Sequence, residues 1–149
     1  MLFPNCDLTH DGSFDEAIKG CATVIHTASP FFLMNNTDGI KHLVEPAVEG
    51  TRTIMEACHR FKVKKVVLTS STAAVYVCYG SKSAEHIFSS EDWSDENVLL
   101  EHQNYYSLSK VKAEKLAWEL AAKYSLKLAV MNPCLIWGPQ LKGQNHLNT

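Results

Sequence analysis

The chain holds 149 residues, 46% of them hydrophobic, which suffices for one globular domain with a core of its own. Its formal net charge is −2 and it has no sustained basic run, so nothing in it points to nucleic acid or an anionic membrane surface, and no apolar run approaches the roughly 18 residues of a membrane span. The five cysteines are widely spaced without a Cys-x-x-Cys pair, and the seven histidines are scattered. The expectation is a cytoplasmic chain with reduced thiols, no signal peptide and no metal site.

Residues 1–8 read as the end of a strand passing into a loop. Asp11 to Lys19 predicts a short helix, with Ser13 as N-cap, Glu16 completing a capping box and Gly20 as its stop. The β-branched run Thr23-Val24-Ile25-His26-Thr27-Ala28-Ser29, closed by Pro30, predicts a buried strand. Phe31 to Gly39 has loop composition. A helix is expected from Ile40 to Phe61, with Pro46 in its first turns and Ala47, Thr51, Ile54, Cys58 and Phe61 as its apolar stripe. Lys65 to Ser70 predicts a second strand, ending in the hydroxyl cluster Thr69-Ser70-Ser71-Thr72. Lys62, Lys64 and Lys65 precede it as a solvated group. Residues 77–104 read as one long irregular connection. Leu126 to Met131 predicts a third strand, running into Asn132-Pro133.

Between the last two strands lies an amphipathic helix of about five turns. Its inner face runs through Tyr106, Lys110, Ala113, Leu116, Ala117, Leu120, Ala121 and Tyr124, with Lys112, Glu114, Lys115, Glu119 and Lys123 mostly on the other side. The four-residue spacing sets Tyr106 and Lys110 one turn apart on one face. An ammonium within roughly 4–6 Å favours the phenolate, which makes a phenol a better proton donor at neutral pH. Such a donor can protonate a carbonyl oxygen as hydride reaches its carbon.

Continuously apolar strands alternating with helices predict an α/β fold, a parallel sheet covered on both faces, with ligands beyond the carboxyl ends of the strands. Three such ends, Thr27-Ala28-Ser29, Thr69-Ser70-Ser71 and Asn132-Pro133-Cys134, would line one cleft.

Taken in order, Asp7-Leu8, Gly12 to Cys21, Val24 to Pro30, Val44 to Thr51, Val66 to Ser71, Trp93-Ser94-Asp95, Tyr106 to Glu114, and Pro133 with Gly138-Pro139 carry a resemblance. The chain resembles the extended short-chain dehydrogenases/reductases of the epimerase/dehydratase superfamily, in the branch of dihydroflavonol 4-reductase, cinnamoyl-CoA reductase and plant aldehyde reductase. The resemblance implies a Rossmann-like, doubly wound parallel sheet. It also implies an NADP(H)-dependent oxidoreductase reducing a small-molecule aldehyde or ketone, with NAD(H) as the alternative cofactor. By residue, it implies Ser71 as a hydrogen-bond donor to the substrate oxygen, with Thr72 as a nearby alternative, Tyr106 as proton donor, and Lys110 as tuner of the tyrosine and ligand of the ribose. Asp7 and Leu8 would meet the adenine; Thr27, Ala28 and Ser29 would run along the cofactor, Thr69 beneath it, and Pro133 and Leu135 past the nicotinamide. Thr72 and Tyr76 would face substrate. Tyr76 matches the cinnamoyl-CoA and aldehyde reductases, whereas Tyr-Ser-Leu-Ser-Lys departs from the Trp-Tyr-Cys-Tyr-Gly-Lys form of the former. Nucleotide-sugar epimerases or dehydratases, hydroxysteroid dehydrogenases, and non-catalytic or truncated relatives are the competing readings.

The family opens with a strand, a Gly-x-x-Gly-x-x-Gly turn and a helix that carries the pyrophosphate. That pattern, the basic residue selecting NADP, and a C-terminal substrate region have no counterpart in these residues. Residues 1–149 are therefore expected to be a partial NAD(P)-binding Rossmann domain. Its first strand would otherwise sit beside residues 24–29.

Overall fold

The computed structural model describes residues 6–31, 38–136 and 138. Three strands, β1 (Thr23–His26), β2 (Lys65–Thr69) and β3 (Lys127–Met131), form a parallel sheet in the order β1-β2-β3. Val24 pairs with Val66 and His26 with Leu68, while Leu68 pairs with Val130 and Thr69 with Met131. Parallel neighbours need long crossovers, which helices supply here. A π-helical turn, Ile40–Val44, leads directly into α2, Glu45–Arg60, with Pro46 in its first turn. The second crossover contains α3, Glu96–Glu101, and α4, Tyr105–Tyr124.

The core lies between the sheet and α2 and α4. Val24, Val66 and Leu128, one residue from each strand, pack with Ile54, Met55, Cys58, Leu120 and Ala121. A second cluster of Val44, Ala74, Leu99, Leu108 and Val111 wraps the first turns of α4. The expected stripe on α2 is present: Ala47, Thr51, Ile54 and Cys58 are buried and Phe61 is half-buried. Burial also pushes the Cys58 thiol up to about 12.

Coverage of both faces is not found among the described residues. Burial alternates along the strands, and the residues turned from α2 and α4 are open, with Ile25 68% and Met131 60% exposed. The outer edge of β1 also has no strand partner among the described residues.

The first helix is also shorter than expected. Only α1, Asp15–Ile18, is helical, and Phe14 stands at its N-cap without a side-chain bond. Ser13 is drawn elsewhere: its Oγ donates to the Asp7 carbonyl at 2.6 Å and accepts from the Asp7 N–H at 3.2 Å. Gly20 does end the element, at φ +81°. Arg60 ties α1 to α2 through Asp15 at 2.8 Å and Asp11 at 3.2 Å, exposed pairs worth about 1 kcal/mol at most. The expected strand end before Cys6 and most of the loop after Phe31 lie outside the described residues.

An open β-edge beside an uncovered apolar face favours association. The 149 residues expressed alone are expected to bind a hydrophobic dye and to aggregate with rising concentration, as light scattering would register. A sharp, concentration-independent two-state melt would contradict this.

Candidate active site

Pairing beyond the regular strands fixes the loop after β2. The Ser70 N–H donates to the Met131 carbonyl at 2.8 Å and the Thr72 N–H to the Pro133 carbonyl at 3.0 Å. The side-chain amide of Asn132 donates to the Ser71 carbonyl at 3.1 Å. Ser71 is extended (φ −159°, ψ 152°) and caps a 3-10 turn, Thr72–Ala74, its Oγ accepting from the Ala73 N–H at 3.1 Å. A hydroxyl oxygen engaged this way keeps its hydrogen free to donate outward.

The 3-10 turn packs against α4. Asn104 caps that helix by accepting from the Ser107 N–H at 3.2 Å. Tyr106 follows, half-buried, its ring edge-on to Phe31 with centroids 5.1 Å apart. The Lys110 Nζ stands 5.5 Å from the Tyr106 ring centroid. Lys110 is buried, 8% exposed, and burial lowers its pKa. His26, at the end of β1, is also buried, and its pKa falls to about 4, chiefly through burial and then through the positive charge of Lys110. His26 is therefore neutral at pH 7.

The polar face expected of α4 is not simply solvated. Glu114 is buried, and its Oε2 accepts from the Asn132 amide at 2.8 Å. Lys112 and Lys115 pair with Glu96 of α3 at 2.9 and 2.7 Å. The Lys115 bond, then that of Lys112, lowers the Glu96 pKa.

Residues 77–104 contain α3, which the sequence reading misses. Asp95 caps it, accepting from the Asn97 and Val98 N–H groups at 2.9 and 3.3 Å. Ser94, 2% exposed, accepts from the Val77 N–H at 2.9 Å and donates to the Ala73 carbonyl at 3.0 Å. Trp93 packs beside Leu99 and Leu108, with the Lys115 ammonium 5.3 Å from its ring. Trp-Ser-Asp thus fastens the crossover onto the segment next to Ser71. Earlier in the loop, Asp92 gathers the Ser89 N–H, His86 and Lys82, and the backbone bond from Ser89 leads in holding its carboxyl well below the usual range.

Of the residues expected to meet a cofactor, Thr27 and Ala28 are exposed and line a cavity of about 330 Å³ along β1. Ser29 and Pro133 are half-buried, and Thr69 lies on the uncovered sheet face beside Met131. Leu135 is 76% exposed. Asp7 accepts from the Thr9 N–H and hydroxyl at 2.8 and 2.7 Å, and the hydroxyl bond leads in lowering its pKa. The Leu8 side chain packs against Gly50, where an added Cβ would stand 3.0 Å from it. Thr72 lies in the 3-10 turn, and Tyr76, 49% exposed, meets Phe88 edge-on at 6.5 Å. Ser71 precedes the 3-10 turn that packs on α4, the helix carrying Tyr106 and Lys110, and no hydrogen bond joins Ser71 to Tyr106 among the described residues. A larger cavity, about 710 Å³, lies among Arg60, Lys62, Lys65, Tyr124 and Lys127 at the amino ends of β2 and β3 and contains none of these groups.

Residues 2–149 match the model of the NAD dependent epimerase/dehydratase family. The chain is 37% identical over 142 residues to cinnamoyl-CoA reductase 1 of Arabidopsis thaliana, covering 95% of this chain and 40% of that protein. It is 40% identical over 136 residues to cinnamoyl-CoA reductase 1 of Petunia hybrida, covering 91% and 39%. Among solved structures it is similar to yeast methylglyoxal/isovaleraldehyde reductase Gre2 complexed with NADPH, at a TM-score of 0.78 and 34% identity, covering 95% of this chain and 44% of that one. The chain thus spans about two fifths of the length of the curated relatives it matches, and the Rossmann-like sheet agrees with the solved neighbour.

Two outcomes test this geometry in the protein as naturally encoded. A Cβ on Gly39 would overlap the Tyr105 ring, so Gly39→Ala should displace the start of α4 and destabilise the protein by about 1–3 kcal/mol, measured by urea unfolding. His26 titrates near 4 when folded against about 6.5 when unfolded, so the unfolded state takes up more protons as pH falls through that window. Stability should drop by on the order of 2 kcal/mol between pH 7 and 5 on this account, and His26→Leu should flatten that slope.

Proposed function

Because this chain belongs to the NAD dependent epimerase/dehydratase family, we propose that it carries the catalytic centre of an NADP(H)-dependent reductase. The substrate is a small-molecule aldehyde or ketone, reduced to an alcohol. The observation that carries this reading is the buried Lys110 ammonium standing 5.5 Å from the ring of half-buried Tyr106, next to the turn that begins at Ser71.

When bound, the dinucleotide supplies hydride to the carbonyl carbon. The chain supplies the rest. Tyr106 gives the proton to the carbonyl oxygen. Lys110 holds positive charge where phenolate develops, and its ammonium has hydrogens left for a ribose hydroxyl. Ser71, its oxygen already engaged by the Ala73 N–H, donates its own hydrogen to the substrate oxygen and orients it.

The donor set suits a dinucleotide. Exposed Thr27 and Ala28, with Ser29 and Pro133, leave little side-chain bulk at the carboxyl ends of β1 and β3. Residues 1–149 then serve as part of an NAD(P)-binding Rossmann domain, with Asp7 and Leu8 at the adenine, Thr69 beneath the cofactor, Pro133 and Leu135 past the nicotinamide, and Thr72 and Tyr76 toward substrate. NAD(H) is the alternative cofactor.

The protein as naturally encoded should oxidise NADPH in the presence of aromatic aldehydes, dihydroflavonols or cinnamoyl-CoA, one class far faster than the others. Tyr106→Phe should lower kcat by about 10²–10⁴-fold while NADPH still binds. Tight NADPH binding without turnover of any class would replace the reductase reading with a dinucleotide-sensing one.

A further inference from the structure

Asn132 uses both hydrogens of one amide nitrogen. One goes to the Ser71 carbonyl at 3.1 Å and the other to Glu114 Oε2 at 2.8 Å. Both partners are acceptors, which fixes the orientation of the amide. Burial is also unusual here: Glu114 is only 6% exposed and Asn132 is half-buried, and a carboxyl is rarely buried unless it is held by hydrogen bonds.

The two ends of this fork lie on the two elements that bring the reacting groups. Ser71 stands after β2, in a segment already bracketed by bonds from Ser70 to Met131 and from Thr72 to Pro133. Glu114 stands on α4 four residues beyond Lys110 and eight beyond Tyr106, on the same helical face. Fixing Glu114 sets the rotation and axial position of the face that carries tyrosine and lysine.

We infer that Asn132 and Glu114 are positioning residues that lock the serine loop to α4, holding Ser71 in reach of the substrate oxygen that Tyr106 protonates. This rests on the reductase reading for its catalytic consequence and on the hydrogen bonds alone for its mechanical one.

The test uses the protein as naturally encoded, with both readouts. Asn132→Ala should lower kcat about 10- to 100-fold, as loosened alignment of reacting groups does, with NADPH affinity unchanged, and should also lower the melting temperature because the buried Glu114 carboxyl loses its donor. Glu114→Ala should act alike, the double variant should be no slower than either single one, and Glu114→Gln, which keeps an acceptor oxygen, should restore most of the lost rate. Hydrogen exchange of the Thr72 and Ala73 amides should quicken about tenfold or more in Asn132→Ala, with Val66 and Leu68 unaffected. An unchanged kcat in Asn132→Ala, parallel losses of kcat and NADPH affinity, or Glu114→Gln as slow as Glu114→Ala would overturn the inference. If the unmodified protein shows no turnover, the reductase reading falls and hydrogen exchange decides alone: local quickening supports the lock, and a uniform change or none overturns it.

Discussion

Parallel pairing of β2 with β3 is the constraint on which the site depends. The ladder does not stop with the strands. It continues through the Ser70 and Thr72 N–H groups to the carbonyls of Met131 and Pro133, so the chain on either side of Ser71 has its backbone groups committed. Buried backbone groups demand partners, and here that demand holds a candidate catalytic residue still. Helix α4 is then laid against the same turn by Ala74, Leu108 and Val111, which sets the helix carrying Tyr106 and Lys110 beside the turn that Ser71 caps.

The surroundings of Lys110 show how sheet and helix share one electrostatic problem. An ammonium withdrawn from water would otherwise be costly. His26 beneath it stays neutral, so no second positive charge is added to the enclosed space. The carboxyl of Glu114, one turn along, is engaged by Asn132. Lys110 and Glu114 come from α4, His26 from β1 and Asn132 from the segment after β3, so these groups meet only once the crossovers have closed.

Much of the fold was legible because its signals are local. β-branched runs located β2 and β3 to within one residue and β1 at its start, although β1 ends at His26, three residues before the expected Ser29, and the stripe on α2 and the length of α4 followed from their periodicity. The Tyr106 and Lys110 pairing was readable from spacing alone. Long-range choices were not readable. Ser13 forms no cap because the Asp7 backbone claims its hydroxyl. α3 is only six residues long and is held by Asp95, whose capping role depends on Ser94 anchoring the loop first. Glu114 looked solvent-facing by charge type, yet its four-residue step from Lys110 already placed it on the inner face. Alternation of burial along the strands was hidden because both faces carry apolar residues, and only the packing of α2 and α4 distinguishes them.

The π-helical turn at Ile40–Val44 accommodates more residues per turn than the helix it leads into. The step lets Gly39 lie under Tyr105 while Ala47, Thr51, Ile54 and Cys58 keep their phase against the sheet. Helix phase in α2 and ring placement at the mouth of α4 are therefore adjusted by a single residue of slack. An insertion or deletion of one residue here would turn one end by about 100° relative to the other and carry Gly39 out from under the Tyr105 ring.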